Sequence, residues 1–177
     1  QLGQLAEAIN VIKSQLVEHP MNFNLRGQYI ELLCINQELE KAKKELDFLA
    51  ISQPEVAASI INFRQLIDAE QARQRFYQGL ELPELLHEPS DEDEQFLSLH
   101  KKIAKKEHHD LEDNLHKLKK AVNKLNILIN NQDQEVYRDL DDSLCRYVEV
   151  LSSNGKFNIV NLTNIERLEF LPTESLI

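Results

Sequence analysis

The chain has 177 residues, which is enough for one sizeable domain or two small ones. A hydrophobic fraction of 42% and a charged fraction of 28% are typical of a soluble globular protein, and no apolar run approaches the ~18 residues that a membrane helix needs. The formal net charge of −10 argues against nucleic acid and against an anionic membrane as the main partner.

The N-terminal part contains an internal spacing of 34 residues, the length of a tetratricopeptide unit of two antiparallel helices. Four positions of one helical pattern recur at this distance, Leu5, Ala8, Ile12 and Pro20 being matched by Leu39, Ala42, Leu46 and Pro54. The alanines predict close approach of two helices, and the prolines predict helix ends because they disfavour helical geometry in the preceding residue. The spacing therefore predicts tetratricopeptide-like repeats over 1–79, with an irregular helical bundle as the alternative.

Apolar residues recur with helical spacing in four segments of this part, whose predicted bounds are 1–19, 22–35, 39–50 and 54–79. Asn22 or Asn24 is expected to cap the second helix, and Gly79 suits the C-terminal cap of the fourth.

The segment 80–95 differs in composition and is predicted to be a solvated acidic linker. It contains Pro83 and Pro89, and Ser90 or Asp91 is available to cap the next helix. Its acidic residues are Glu81, Glu84, Glu88, Asp91, Glu92, Asp93 and Glu94.

Helical periodicity returns over 96–130, broken near His108–Asp110, and predicts a helical hairpin. The region 131–177 is β-like: strands at 146–151 and 156–162 flank a tight turn at Asn154-Gly155, and a third strand is expected at Leu168 and Phe170. The predicted fold class is therefore mainly α with a small C-terminal antiparallel β region packed on the helices, an α+β fold.

Two groups of residues resemble metal sites. His108, Glu112 and His116 are spaced four apart on one predicted helix face, and Asp139, Asp141 and Asp142 are close in sequence. A solvated helix face and a turn or helix cap explain them better, and no Gly-rich phosphate loop or GxSxG motif occurs. We expect a non-enzymatic protein without catalytic residues, metal or cofactor, and a metal-dependent enzyme using these groups is the alternative.

Eight lysines lie between positions 101 and 124: Lys101, Lys102, Lys105, Lys106, Lys117, Lys119, Lys120 and Lys124. With acidic residues interspersed and no aromatic residue among them, they indicate a solvated face or a docking surface for an acidic protein or for the acidic linker. Cys34 and Cys145 are predicted to be reduced core thiols, which favours the cytoplasm.

The C-terminal stretch LDDSLCRYVEVLSSNGKFNIVNLTNIERLEFLPTESL resembles the signature region of the ImpE (TagJ-like) accessory proteins of the bacterial type VI secretion system. The matching residues are Asp142, Ser143, Glu149, Gly155, Phe157, Ile165, Leu168, Pro172 and Thr173. The N-terminal part is also similar, through Gly3, Leu5 and Ala8, then ELLC at 31–34 and LEKAKKELDFLA at 39–50. One departure is Leu144-Cys145-Arg146, where the family usually has Arg-Leu-Gly.

The resemblance implies a cytoplasmic adaptor that binds the N-terminal helix of the small subunit of the contractile sheath and links the sheath to its recycling unfoldase, ClpV. Stacked helical hairpins form surfaces that bind amphipathic helices, so the residue patterns agree with this expectation. A general tetratricopeptide-like scaffold or chaperone is the alternative. The sequence indicates neither the binding face nor the oligomeric state.

Overall fold

The computed structural model describes residues 2–107, 109, 111–120, 127–129, 132–134, 141, 143–165 and 167. Among these residues, the helices are α1 (Leu2–Glu18), α2 (Phe23–Ile35), α3 (Leu39–Ser52), α4 (Ala57–Tyr77), α5 (Asp91–Ala104) and α6 (Leu111–Lys120). The strands are β1 (Ile127–Ile129), β2 (Gln132–Gln134), β3 (Tyr147–Leu151) and β4 (Phe157–Asn161). The predicted fold class, mainly α with a small antiparallel β region, is confirmed.

The described residues form two compact units, the first built mainly from residues up to Gln71 and the second mainly from Ala72 onward. The predicted helical-repeat segment ends at Gly79, but the division falls inside α4. The reason is that Ala72 and Phe76 are buried in the second hydrophobic core, whereas Ile67 belongs to the first.

Helices α1 to α3 and the first part of α4 form the first unit. Helix α2 packs on both α1 and α3, and α3 also contacts α4, for example through the 2.7 Å ion pair between Lys43 and Asp68. Ala42 is completely buried, as expected for a residue where helices approach closely. The matching Ala8 is only half-buried, because α1 has a described helix on one side and α3 has one on each side.

Specific residues mark the start of α2 and both ends of α4 where the sequence predicts. The side chain of Asn22 caps α2 by accepting a hydrogen bond from the Leu25 amide at 3.1 Å. Pro54 opens a 3-10 turn that leads into α4, where its missing amide donor costs nothing. Gly79, with φ of +72°, follows α4, and the Gly79 and Leu80 amides donate to the Phe76 and Arg75 carbonyls. These two bonds form a Schellman motif with Gly79 in the left-handed conformation, as expected of a glycine at a helix C-terminus.

The prediction of a solvated linker over 80–95 is wrong in two places. Ser90 caps α5, as expected, but the helix then begins at Asp91, and Asp93 in its first turn is completely buried. Glu84 pairs with Asn158 of β4 in a short parallel bridge, with backbone hydrogen bonds at 2.9 and 3.1 Å. The acidic composition predicts a solvent-exposed segment. In the structure, however, Glu84 hydrogen-bonds to β4 and Ser90 caps α5.

The β structure begins earlier than the predicted boundary at 131. Ile127–Ile129 forms β1 and pairs antiparallel with β2, although helical periodicity extends over this apolar run. Strands β3 and β4 form the predicted hairpin, with Tyr147 opposite Asn161 and Leu151 opposite Phe157. Gly155 in the turn has φ of +83°, which favours glycine. The predicted third strand at Leu168 and Phe170 lies outside the described residues.

Candidate functional site

The two groups of residues that resemble metal sites in the sequence do not form such sites in the described part of the chain. Glu112 and His116 are exposed on α6, and the side chain of Asp141 accepts hydrogen bonds from the amide and hydroxyl of Ser143. His108, Asp139 and Asp142 lie outside the described residues. Within the part of the chain that is described, no three His, Cys, Asp or Glu side chains are grouped as metal ligands.

The basic stretch is partly described. Lys101, Lys105 and Lys106 are exposed at the C-terminal end of α5, and Lys102 is half-exposed. Lys124 lies outside the described residues. Both cysteines are thiols, Cys145 buried and Cys34 half-buried, and burial together with the nearby charge of Glu31 raises the pKa of Cys34.

A buried carboxylate organises the second unit. The Asp93 carboxylate accepts hydrogen bonds from the Ser90 amide at 2.8 Å, the Ser90 hydroxyl at 2.6 Å and the Tyr147 hydroxyl at 3.0 Å, and it lies 2.9 Å from His87 Nε2. Burial alone would raise the pKa of Asp93, but the hydrogen bonds from Ser90, His87 and Tyr147 outweigh it and lower the pKa.

This group contains Ser, His and Asp, but its geometry is not that of a nucleophilic triad. In a triad the serine hydroxyl donates to histidine, whereas Ser90 Oγ donates to the carboxylate of Asp93. The open pocket beside it, of about 410 Å³, is lined by His87, Ser90, Asp91, Glu92, Asn161, Thr163 and Asn164. Asp93 therefore fixes the start of α5 against β3, and its reciprocal hydrogen bonds with Ser90 are those of a capping box.

A buried histidine lies within the aromatic core of the same unit. The His100 ring is 4.5 Å from that of Phe96 and 5.0 Å from that of Phe76, and its Nε2 lies 3.2 Å from the Ser143 carbonyl oxygen. Because a carbonyl only accepts, Nε2 carries the proton of the neutral ring. Burial lowers the pKa of His100, and the hydrogen bond to Ser143 opposes this effect only in part.

The described residues of the C-terminal signature have structural partners. Glu149 accepts a hydrogen bond from the Tyr77 hydroxyl at 2.9 Å and lies 3.5 Å from the Arg73 guanidinium. Phe157 is buried, and Gly155 forms the turn. The signature thus defines the hairpin and its attachment to the last turns of α4. Asp142, Leu168, Pro172 and Thr173 lie outside the described residues.

A shallow depression of about 530 Å³, wide open to solvent, lies on the outer face of α1. We call it the α1 groove, and its lining residues are Glu7, Asn10, Val11, Ser14 and Gln15. They recur three and four apart, so they form one stripe of the helix. Val11 is exposed at its centre, and the Ser14 hydroxyl donates to the Asn10 carbonyl at 3.0 Å, so it needs no further acceptor.

Sequence patterns did not identify the Asp93 network or the α1 groove. The Ser90-x-x-Asp93 spacing is a capping-box signal that could have marked Asp93 as more than one acid among several. No such signal exists for the groove, because Val11 interrupts an otherwise polar face that resembles any solvated helix.

Among the described residues, none of the helices combines the length and the apolar composition required to cross a membrane.

Comparisons with known proteins indicate the fold. No protein-family model matches the chain, and no curated protein matches it either. The chain is similar to the crystal structure of protein VPA1032 from Vibrio parahaemolyticus, with a TM-score of 0.82 and 25% identity over 91% of this chain. It spans 60% of the length of that protein's chain.

Proposed function

We propose that this chain is a non-enzymatic adaptor of a type VI secretion system that works in the cytoplasm. It binds the N-terminal helix of the small sheath subunit and links the sheath to the ClpV unfoldase that recycles it. The pathway is proposed from the resemblance of residues 140–176 and of the N-terminal repeats to the ImpE (TagJ-like) proteins. The helix-binding activity is proposed from the structure.

The α1 groove is the main support for helix binding. A stripe of side chains spaced three and four apart is the surface on which a second helix packs. Ser14 is small and allows close approach, Val11 offers an apolar contact, and Glu7 can pair with a basic residue of the partner. In the stacked arrangement of the first unit, an added helix would contact α1 as α3 contacts α2.

The described residues of the hairpin signature have structural roles. Glu149, Gly155 and Phe157 each have a role in the hairpin or its attachment to α4. A likeness that rests on such positions is a likeness of fold, and function is proposed from it by analogy.

The test is calorimetric titration of the purified chain with the N-terminal helix of the small sheath subunit from the same organism. We expect saturable one-site binding that is lost when the apolar face of the peptide is changed to Asp. Absence of binding at high micromolar concentration would contradict the proposal. A pull-down with the peptide and the ClpV unfoldase then tests the link, which requires that the adaptor retain both.

A further inference from the structure

One end of the first unit carries exposed apolar side chains that the adaptor proposal does not use. Helices α1, α2, α3 and α4 follow one another through short connections, so neighbouring helices are antiparallel. Successive connections therefore alternate between the two ends of the unit. The first connection, 19–22, and the third, 53–56, lie at the same end.

A buried arginine joins two parts of this end. Arg26, in the first turn of α2, donates a hydrogen bond to the Pro20 carbonyl at 2.8 Å and forms an ion pair with Glu45 of α3. Its guanidinium also lies 4.1 Å from the centre of the Phe48 ring. Pro20 is in the first connection and Phe48 is in the second half of α3, so Arg26 fixes these two regions next to each other.

Four apolar side chains at this end are exposed. They are Met21 (61%), Phe48 (38%), Ile51 (82%) and Val56 (40%). Met21 follows Pro20 directly, and Ile51 lies three residues after Phe48, on the same helix face. Single exposed apolar residues are ordinary, but such a concentration at one end of a unit marks an interaction site. We call these four residues the loop patch.

The free charges in the two connecting regions are acidic. Glu18 and Glu55 are exposed, and neither has an ion pair within the described part of the chain. The nearby Asp47 differs, because it is paired with Arg64. The segments 17–22 and 51–56 contain no lysine or arginine. The loop patch is therefore accompanied by negative charge that the chain itself does not neutralise.

We propose that the loop patch binds an amphipathic segment of another protein in which apolar side chains are flanked by lysine or arginine. The apolar side chains of this segment bury the loop patch, and its basic residues lie beside Glu18 and Glu55. Burial of apolar surface supplies the affinity, whereas the opposite charges determine which segment is accepted.

The same charges disfavour two other occupants. A second copy of this chain would bring the acidic residues of two loop patches together, and each copy carries a net charge of −10. An anionic membrane would repel Glu18 and Glu55 as well. A basic amphipathic protein segment is the occupant whose charge complements this end of the unit.

The test is selection of a phage-displayed library of random dodecapeptides on the full chain. The library is first depleted on the full chain carrying Met21→Ser with Ile51→Ser, which removes peptides that bind elsewhere, including at the α1 groove. Both residues are exposed, so this variant should unfold at the same urea concentration as the unmodified chain. We expect the peptides enriched after depletion to combine apolar residues with lysine or arginine.

Calorimetric titration of a synthesised enriched peptide then measures the contribution of charge. At low salt, Glu18→Lys with Glu55→Lys should weaken binding at least ~10-fold, because attraction becomes repulsion. The difference between this variant and the unmodified chain should shrink at high salt, since exposed charges are screened there.

Matched controls make the same kinds of change outside the loop patch. Ile35→Ser with Ile61→Ser replaces two other exposed apolar residues, and Glu31→Lys with Glu88→Lys makes the same change in net charge at exposed positions. Both controls should bind the peptide within ~2-fold of the unmodified chain at the same salt concentration.

The proposal is overturned if no peptide remains after depletion, if the enriched peptides lack basic residues, or if the controls weaken binding as strongly. Sedimentation equilibrium adds a further criterion. A dimer of the unmodified chain that dissociates in the variant with Met21→Ser and Ile51→Ser would make a second copy the occupant and would also overturn it. None of these results depends on binding at the α1 groove.

Discussion

At the scale of single residues, the second unit depends on buried groups that hold a defined protonation state. Asp93 is completely buried yet accepts several hydrogen bonds, and these favour its charged form. His100 is buried among aromatic rings, and this environment favours its neutral form. The two groups therefore make stability depend on pH in two separate windows.

Replacing Asp93 by Asn should lower the free energy of unfolding by about 1–3 kcal/mol at neutral pH, because a buried charged acceptor is lost. The pKa of Asp93 is lower in the folded chain than in the unfolded chain. Its contribution is therefore complete above the unfolded value of about 3.9 and is lost as the pH falls through the folded value. Urea unfolding from pH 7 to pH 3 measures this, and the difference between the two proteins should shrink below about pH 4.

The control for this variant is Asp91→Asn, which changes an exposed acid in the same first turn of α5. Only the interaction with the helix dipole is lost there, so a decrease of under ~1 kcal/mol is expected. Equal effects of the two variants would show that the hydrogen bonds of Asp93 do not stabilise the fold.

His100 predicts a second pH dependence, in a higher range. Its folded pKa is lower than its unfolded pKa of about 6.5, so the unfolded chain binds more protons between these values and stability falls as the pH drops below about 6.5. His100→Gln retains a donor for the Ser143 carbonyl and cannot titrate, so this part of the slope should disappear. His19→Gln, at an exposed position, should leave it unchanged.

At the scale of elements, helix ends and the repeat positions determine the architecture. At Gly79, both the backbone conformation and the limited space disfavour a side chain. Its φ of +72° disfavours any side chain, and the Cβ of Ala104 occupies the space that a methyl group needs.

Gly79→Ala should therefore destabilise the chain by about 2–3 kcal/mol, measured by urea unfolding. Gly155→Ala is the matched control, since its φ of +83° is similar but the nearest side-chain atom lies at the ordinary distance of 3.5 Å. The expected cost there is only ~1 kcal/mol. If both variants lose the same free energy, the contact between Gly79 and Ala104 does not restrict the position.

The 34-residue spacing leads to a prediction for the first unit. Leu46 is 2% exposed, so Leu46→Asp places a charge in an apolar core and should cost more than ~3 kcal/mol. Leu39→Asp should act in the same direction. Val17→Asp, at a position that is 79% exposed, should change stability by less than ~0.5 kcal/mol. Thermal unfolding measures all three, and an unchanged melting temperature for Leu46→Asp would contradict the repeat assignment.

At the scale of the whole molecule, hydrophobic periodicity and the residues that cap helices or form turns predict the helices and strands better than they predict which surfaces are functional. Asn22, Ser90, Gly79 and the Asn154-Gly155 turn act locally, through bonds to their own neighbours in the chain, so their positions were predictable. The burial of Asp93 was not predictable, because it depends on Tyr147, which is 54 residues away in the chain. The apolar run Ile127–Ile129 forms a strand through its pairing with Gln132–Gln134, which overrides its helical periodicity.

Binding of a helix to the outer face of α1 can be tested by comparing two substitutions on this helix. The sheath peptide is titrated calorimetrically into the unmodified chain, Val11→Glu and Val17→Glu. Both valines are exposed on α1, but only Val11 lines the α1 groove. We expect Val11→Glu to weaken binding at least ~10-fold, about 1.4 kcal/mol, and Val17→Glu to bind like the unmodified chain. Equal affinity of all three proteins would contradict binding at the α1 groove.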